Sequence, residues 1–315
     1  MKGLTDIPGI RVGHVSDFEG ITGCTAILCE QGAVGGVDIR GSASGTEEIA
    51  TLDPLHVDPQ VHGVLLTGGS AFGLEAASGV RRYLERRNIG VLAGGVHVPI
   101  VPAAVIFDLP IGKKGVRPNV AMGEAAASAA SADAVAEGSV GAGTGATIGK
   151  LFGLTRAMKG GVGSFTVTLP DGVMVSALVV TNALGDVRDP NTGKIVAGAR
   201  TAKDSRDFAN SIEAMKRGAI GTFIRSNTTL AVVATNARLT KVQATKLAQF
   251  ASLGMARAIY PVNTMFDGDT IFALSVGDRQ MDLNILGVAA AEALSEAIVR
   301  SVKIAKTLGG VPGLG

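Results

Sequence analysis

The chain has 315 residues and a formal net charge of +2, so near to balance that neither nucleic acid nor an anionic membrane is an indicated partner. Hydrophobic residues make up 46% against 18% charged, which excludes a disordered chain and supplies a large core. Glycine is abundant at 44 residues and Trp is absent, a composition suited to closely approaching backbones and tight turns.

The opening Met1-Lys2-Gly3-Leu4-Thr5-Asp6-Ile7-Pro8 has no apolar signal region, and no stretch approaches a membrane span. Cys24 and Cys29 have neither a metal-type partner pair nor a disulfide framework, so they read as core thiols of a reducing compartment. A soluble cytoplasmic protein is the expectation. The first fifty residues read as β-rich. Ile10-Arg11-Val12-Gly13-His14-Val15 alternates, and Gly23-Cys24-Thr25-Ala26-Ile27-Leu28-Cys29 is a mostly apolar strand. Val64-Leu65-Leu66 comes next, then Thr67-Gly68-Gly69-Ser70-Ala71-Phe72-Gly73, then a helix striped by Leu74, Ala77, Val80 and Leu84. This outline is that of a nucleophile elbow, but Gly68 and Phe72 do not frame Ser70 as Gly-x-Ser-x-Gly. Ser70 is expected as a helix N-cap instead.

Residues 123–137 are Ala-rich and read as helix. A glycine-rich loop follows, from Gly138 to Lys150. Its Walker register fails, because Thr144 stands where the first glycine belongs and Leu151 replaces Ser/Thr. Gly141-x-Gly143-x-x-Ala146 fits the looser dinucleotide pattern, but after a helix rather than a strand. His14, His56, His62 and His97 show no zinc-type spacing, and no metal or organic cofactor is implied.

Residues 162–181 read as a hairpin turning at Pro170-Asp171-Gly172, its second strand running into Thr181-Asn182. Residues 186–226 are polar and mixed in charge, and are expected to be mobile and solvent-exposed. They end in Arg225-Ser226-Asn227-Thr228-Thr229, which enters an apolar strand over 230–235. A hydroxyl residue at such a junction suggests a chain that cuts itself between Asn227 and Thr228. Thr228 would then carry both a hydroxyl and a free amine, a recognised way to activate a threonine nucleophile. Asn227-Thr228-Thr229 is equally a glycosylation sequon, or simply the start of a strand. Thr240-Lys241-Val242-Gln243 has capping-box form and opens a helix with Leu247, Phe250, Ala251, Gly254 and Ala258 on one face. Asp267-Gly268-Asp269 reads as a turn, 270–276 as a strand and 282–303 as a long helix. Strands and helices come in blocks, which favours a layered α+β domain with antiparallel strands over a doubly wound fold.

Several of these motifs, in this order, resemble one family. They are Ile7-Pro8-Gly9-Ile10-Arg11-Val12-Gly13-His14, Leu66-Thr67-Gly68-Gly69-Ser70-Ala71-Phe72-Gly73-Leu74, Gly141-Ala142-Gly143-Thr144-Gly145-Ala146, Lys159-Gly160-Gly161-Val162-Gly163 and the Asn227–Thr228 junction running into Val232-Val233-Ala234-Thr235. The family is the self-processing L-aminopeptidase/D-esterases, with the β-peptidyl aminopeptidases and nylon-oligomer hydrolases among them. The resemblance implies a four-layer α-β-β-α sandwich of the N-terminal-nucleophile hydrolase kind. It also implies a single domain, 1–315, cleaved into pieces 1–227 and 228–315, a small peptide or amide substrate, and a homo-oligomer, a tetramer. The threonine at the junction is similar to the nylon-oligomer hydrolases, whose acidic pair appears here as Asp267 and Asp269. Asn182 matches the asparagine of the second hairpin strand, and Lys150 the basic residue after the glycine loop.

The implied chemistry has two stages. Thr228 attacks the Asn227 carbonyl and the resulting ester hydrolyses. The freed amine, with a reference pKa near roughly 7.7, then serves as base while Thr228 is acylated by the substrate amide. Asn182 would donate to the oxyanion, Asp267 and Asp269 would hold the ammonium or hydroxyl, and Lys150 would stabilise developing charge. Two other classes fit the same residues: an acyltransferase of the ornithine acetyltransferase kind, and an uncleaved, non-catalytic scaffold.

Overall fold

The computed structural model describes residues 2–58, 60–219 and 227–315. Eight strands and four helices carry the architecture. The strands are β1 (Arg11–Asp17), β2 (Thr22–Ile39), β3 (Val61–Thr67), β4 (Ala103–Val105), β5 (Val162–Thr168), β6 (Met174–Asn182), β7 (Thr228–Ala237) and β8 (Thr270–Arg279). The helices are α1 (Ala76–Glu85), α2 (Val120–Ser128), α3 (Lys241–Ala258) and α4 (Leu283–Lys303).

The layering follows from side-chain parity, since successive residues of a strand face opposite sides. On β6, β7 and β8 the odd positions Val175, Ala177, Val179, Ala231, Val233, Ile271 and Ala273 pack against α3 and α4. Their even neighbours Leu178, Val180, Leu230, Val232, Phe272 and Leu274 pack instead against Ile27, Cys29, Val64 and Leu66 of a second sheet. The far face of that sheet, with Cys24, Ala26, Leu28 and Leu65, is covered by Ala76, Ala77, Val80 and Ala126 of α1 and α2. Three apolar layers between four structural layers make the expected α-β-β-α sandwich. Strands buried on both faces have no polar alternation, which is why 230–234 reads as an unbroken apolar run.

The two sheets share β2. Its first half pairs with β1 and β3, and its second half with β8, so a hydrogen-bonded path of eight strands runs through both sheets, with β1 as a ninth strand beside β2. Pairing is not wholly antiparallel as expected: β7 and β8 are parallel, as are β3 and β4. Each parallel pair is joined by a helical crossover, α3 in one case and α1 in the other, because parallel neighbours need a long return.

Three local expectations are corrected. Ser70 is not an N-cap: Gly69 precedes a 3-10 turn over Ser70–Glu75, Ser70 has φ 53° and no capping bond forms. The helix expected over 123–137 starts at Val120 and ends at Ser128, and just beyond it Ser131 pairs its backbone with Val12 instead of continuing the helix. The segment 186–226, expected to be mobile, holds strands Asp186–Arg188 and Ile195–Ala197 and helix Ser211–Lys216. Asp186, fully buried, organises it by accepting from Ala199 N at 2.9 Å and from Ser211 N and Oγ at 2.7 Å. Residues 220–226, including Arg225 and Ser226 of the junction, lie outside the described residues.

Candidate active site

Thr228 begins β7, the strand between β6 and β8, and sequence neighbours of those strands meet there. The antiparallel β6–β7 register sets Asn182 opposite Thr228. The parallel β7–β8 pairing continues backward as a bridge between Asn227 and Asp267. Thr228 is 4% exposed. Its hydroxyl donates to the carbonyl oxygen of Asn227 at 2.5 Å, and Gly268 N donates to the same oxygen at 2.9 Å. The junction opens on a pocket of about 180 Å³ lined by Ser44, Ser70, Val105 and Phe107 as well as Asn227 and Thr228.

Lys150 reaches this centre through a left-handed turn at Gly149, φ 66°, where Gly149 N and Lys150 N donate to Gly185 O and Leu184 O, both at 3.0 Å. A Cβ on Gly149 would stand 2.2 Å from Ala199 N, so glycine is required by position as well as by φ. Lys150 is 3% exposed, not the solvated charge a loop end usually carries. Its Nζ donates to Asn182 O at 3.0 Å and Asn182 Oδ1 at 2.9 Å. Thr147 N donates to the same Oδ1 at 3.0 Å. These two donors fix the amide orientation and turn Nδ2 away from them. Asn182 Nδ2 is buried and has no hydrogen-bond partner among the described residues.

Asp267 and Asp269 flank Gly268 on the other side. Asp267 accepts from Thr264 Oγ1 at 2.5 Å and from Thr264 N and Leu184 N at 3.0 and 3.4 Å. Asp269 accepts from Thr229 N at 2.6 Å and Asn263 N at 2.9 Å. Burial pushes both carboxyls up, Asp269 to about 7 with the Asp267 charge adding to the effect. Burial lowers Lys150 to about 7, against the pull of both aspartates. The structure thus brings together all six residues singled out from the sequence: Asn227, Thr228, Lys150, Asn182, Asp267 and Asp269.

Sequence reading passed over a second buried pair. Asp108 accepts from Thr22 Oγ1 at 2.6 Å and Gly69 N at 2.7 Å, and burial raises it. Lys159 donates to Thr144 O at 2.8 Å and Ala146 O at 2.6 Å, and burial lowers it to about 7. The signal was present: Asp108 ends the apolar run Val105-Ile106-Phe107, where a charge needs a partner. Among the described residues no group of three or more His, Cys, Asp or Glu side chains could hold a metal ion.

The chain matches known proteins along its whole length. The profile of peptidase family S58 matches residues 2–314. An uncharacterized aminopeptidase of Mycobacterium tuberculosis is 39% identical over 345 residues, covering 99% of this chain and 96% of the relative. A 6-aminohexanoate-oligomer endohydrolase of Kocuria sp. is 31% identical over 314 residues, covering 95% and 85%. The L-aminopeptidase D-Ala-esterase/amidase of Ochrobactrum anthropi, solved as a variant of the Ntn-hydrolase fold, superposes with a TM-score of 0.74 at 20% identity over 99% of this chain and 88% of its own. The fold drawn from side-chain parity is therefore that of the Ntn hydrolases, and the chain belongs to peptidase family S58.

Proposed function

We propose that the protein is a hydrolase of amide bonds that cuts itself between Asn227 and Thr228 and then uses Thr228 as an N-terminal nucleophile. The observation that carries this reading is the setting of Thr228. Its hydroxyl lies on the preceding carbonyl at the mouth of a pocket, ringed by Asn182, Lys150, Asp267 and Asp269. Cleavage yields pieces 1–227 and 228–315 and frees the Thr228 amine as base. Asn182 Nδ2, an otherwise idle buried donor, stabilises the substrate oxyanion. Lys150 orients Asn182 and supplies positive charge, while Asp267 and Asp269 receive the ammonium of the new N-terminus.

Substrates are short peptides or linear amides of the aminopeptidase or 6-aminohexanoate-oligomer type, in keeping with the relatives at 39% and 31% identity. A reducing cytoplasmic setting agrees with the two buried free thiols, Cys24 and Cys29. Assembly into a homo-oligomer agrees with Leu253, Ile285 and Val288, large apolar side chains left exposed on α3 and α4, while a tetramer is what the family resemblance implies.

Intact-mass measurement of the purified chain, with N-terminal sequencing, tests the reading. Two pieces are expected, the smaller beginning at Thr228, and Thr228→Ala is expected to stay whole. A single full-length mass after prolonged incubation would overturn it.

A further inference from the structure

The self-cleavage proposed above needs an oxyanion donor of its own, and two candidate donors stand at the junction. Asn182 Nδ2 is buried and has no hydrogen-bond partner among the described residues, so it makes no hydrogen bond to the scissile carbonyl. The backbone N–H of Gly268 does: it donates to Asn227 O at 2.9 Å, beside the Thr228 hydroxyl at 2.5 Å on the same oxygen. Gly268 is held rigidly there. Asp267 bridges to Asn227, Ala43 N donates to Asp267 O at 2.9 Å, and Gly41 N donates to Asp269 O at 3.3 Å. A Cβ on Gly268 would stand 2.7 Å from both Thr228 Oγ1 and Ala43 O. Only glycine lets this N–H and the nucleophile reach one carbonyl together.

We infer that the Gly268 backbone N–H is the oxyanion donor of the self-cleavage step, and that Asn182 Nδ2 serves the later oxyanion of the substrate. The inference rests on the proposed self-cleavage. In that step Thr228 Oγ bonds to the Asn227 carbonyl carbon, and the carbonyl π pair moves onto the oxygen held by Gly268. The pair then returns as the C–N bond breaks, and the hydroxyl proton goes to the departing Thr228 nitrogen. The product is an ester on Thr228 Oγ and a free amine. Water hydrolyses the ester, leaving the Asn227 carboxylate and the Thr228 hydroxyl. The two donors thus act in succession on two different carbonyls.

The test removes each donor from the full chain and compares two rates. Gly268→glycolate, introduced by translation with the α-hydroxy acid, replaces one N–H by an ester oxygen. Its self-cleavage is expected to fall roughly 10²–10³-fold, the usual loss for one oxyanion donor. Hydrolysis per cleaved chain should fall far less. Asn182→Ala should show the reverse imbalance, which a general folding defect cannot produce because it lowers both rates together. Wild-type self-cleavage in the ester chain, or equal loss of both rates there, overturns the inference. Should the ester chain fail to fold, hydrogen exchange at the Gly268 amide decides. It is expected to be slow in uncleaved Thr228→Ala and faster in the cleaved wild type, and equal exchange in the two counts against it. Cutting of Thr228→Ala at residue 227 would instead sink the proposed function itself.

Discussion

At the scale of the residue, the site is a concentration of buried charge that a core tolerates only when each group is held. Lys150 is held by Asn182, Asp269 by Thr229 and Asn263, Asp267 by Thr264 and Leu184. Loss of the Asn182 amide should lower kcat for hydrolysis by roughly 10²–10³, about 3 kcal/mol, with KM little changed; steady-state kinetics of Asn182→Ala checks this. The pH profile follows from two opposed titrations. Asp269 is raised to about 7 and Lys150 lowered to about 7, each chiefly by burial. Below that range Asp269 gains a proton and the carboxylate is lost. Above it Lys150 sheds a proton and the cation is lost. kcat/KM should therefore be bell-shaped with its maximum near neutrality, the two limbs belonging to the coupled set. Lys150→Arg keeps its charge at any accessible pH, so the activity it retains should lose the alkaline fall. A fall that persists unchanged in Lys150→Arg would assign that limb to another group.

At the scale of the element, most features were legible because local signals agree with the packing. Thr240 and Gln243 form the capping box their spacing announced, and Asp282 caps α4. Thr240→Ala should destabilise the protein by about 1 kcal/mol, measurable as a lowered denaturant midpoint with unchanged slope. The glycines say more about distance than about turns. A Cβ on Gly254 would stand 2.0 Å from Ala291 O, so α3 and α4 touch backbone to backbone there. Gly254→Leu should force the helices apart, lower the melting temperature by several degrees and cost about 3 kcal/mol or more. Where local signals misled, a longer-range partner had decided. Asp186 ties down a segment whose polarity suggested mobility, and Ser70 takes a left-handed conformation beside Gly69 instead of capping a helix.

At the scale of the whole molecule, cleavage at Asn227 would free an end inside the sheet, not a separate domain. β7 pairs with β6 of the larger piece and β8 with β2, while α3 and α4 cover that same sheet. The pieces should therefore co-elute in size-exclusion chromatography under native conditions and part only in denaturant. Elution of the 228–315 piece by itself would contradict this. Release of free acid from an amide substrate with no amine acceptor added would distinguish hydrolysis from acyl transfer.

The sequence by itself determined most of the strands and helices and a layered α+β class, because apolar parity and capping are written locally; the four-layer sandwich and, beside Asn227 and Thr228, the candidate site residues came with the family resemblance that its ordered motifs carry. It did not determine which strands run parallel, that one long β2 serves both sheets, or that Lys150, Asp108 and Lys159 are buried together. Those depend on pairings between residues far apart in the chain, such as Asn182 with Thr228 and Asn227 with Asp267. Nor could it place the Gly268 amide on the Asn227 carbonyl. A backbone donor carries no side-chain signature, so only tertiary packing assigns it a partner.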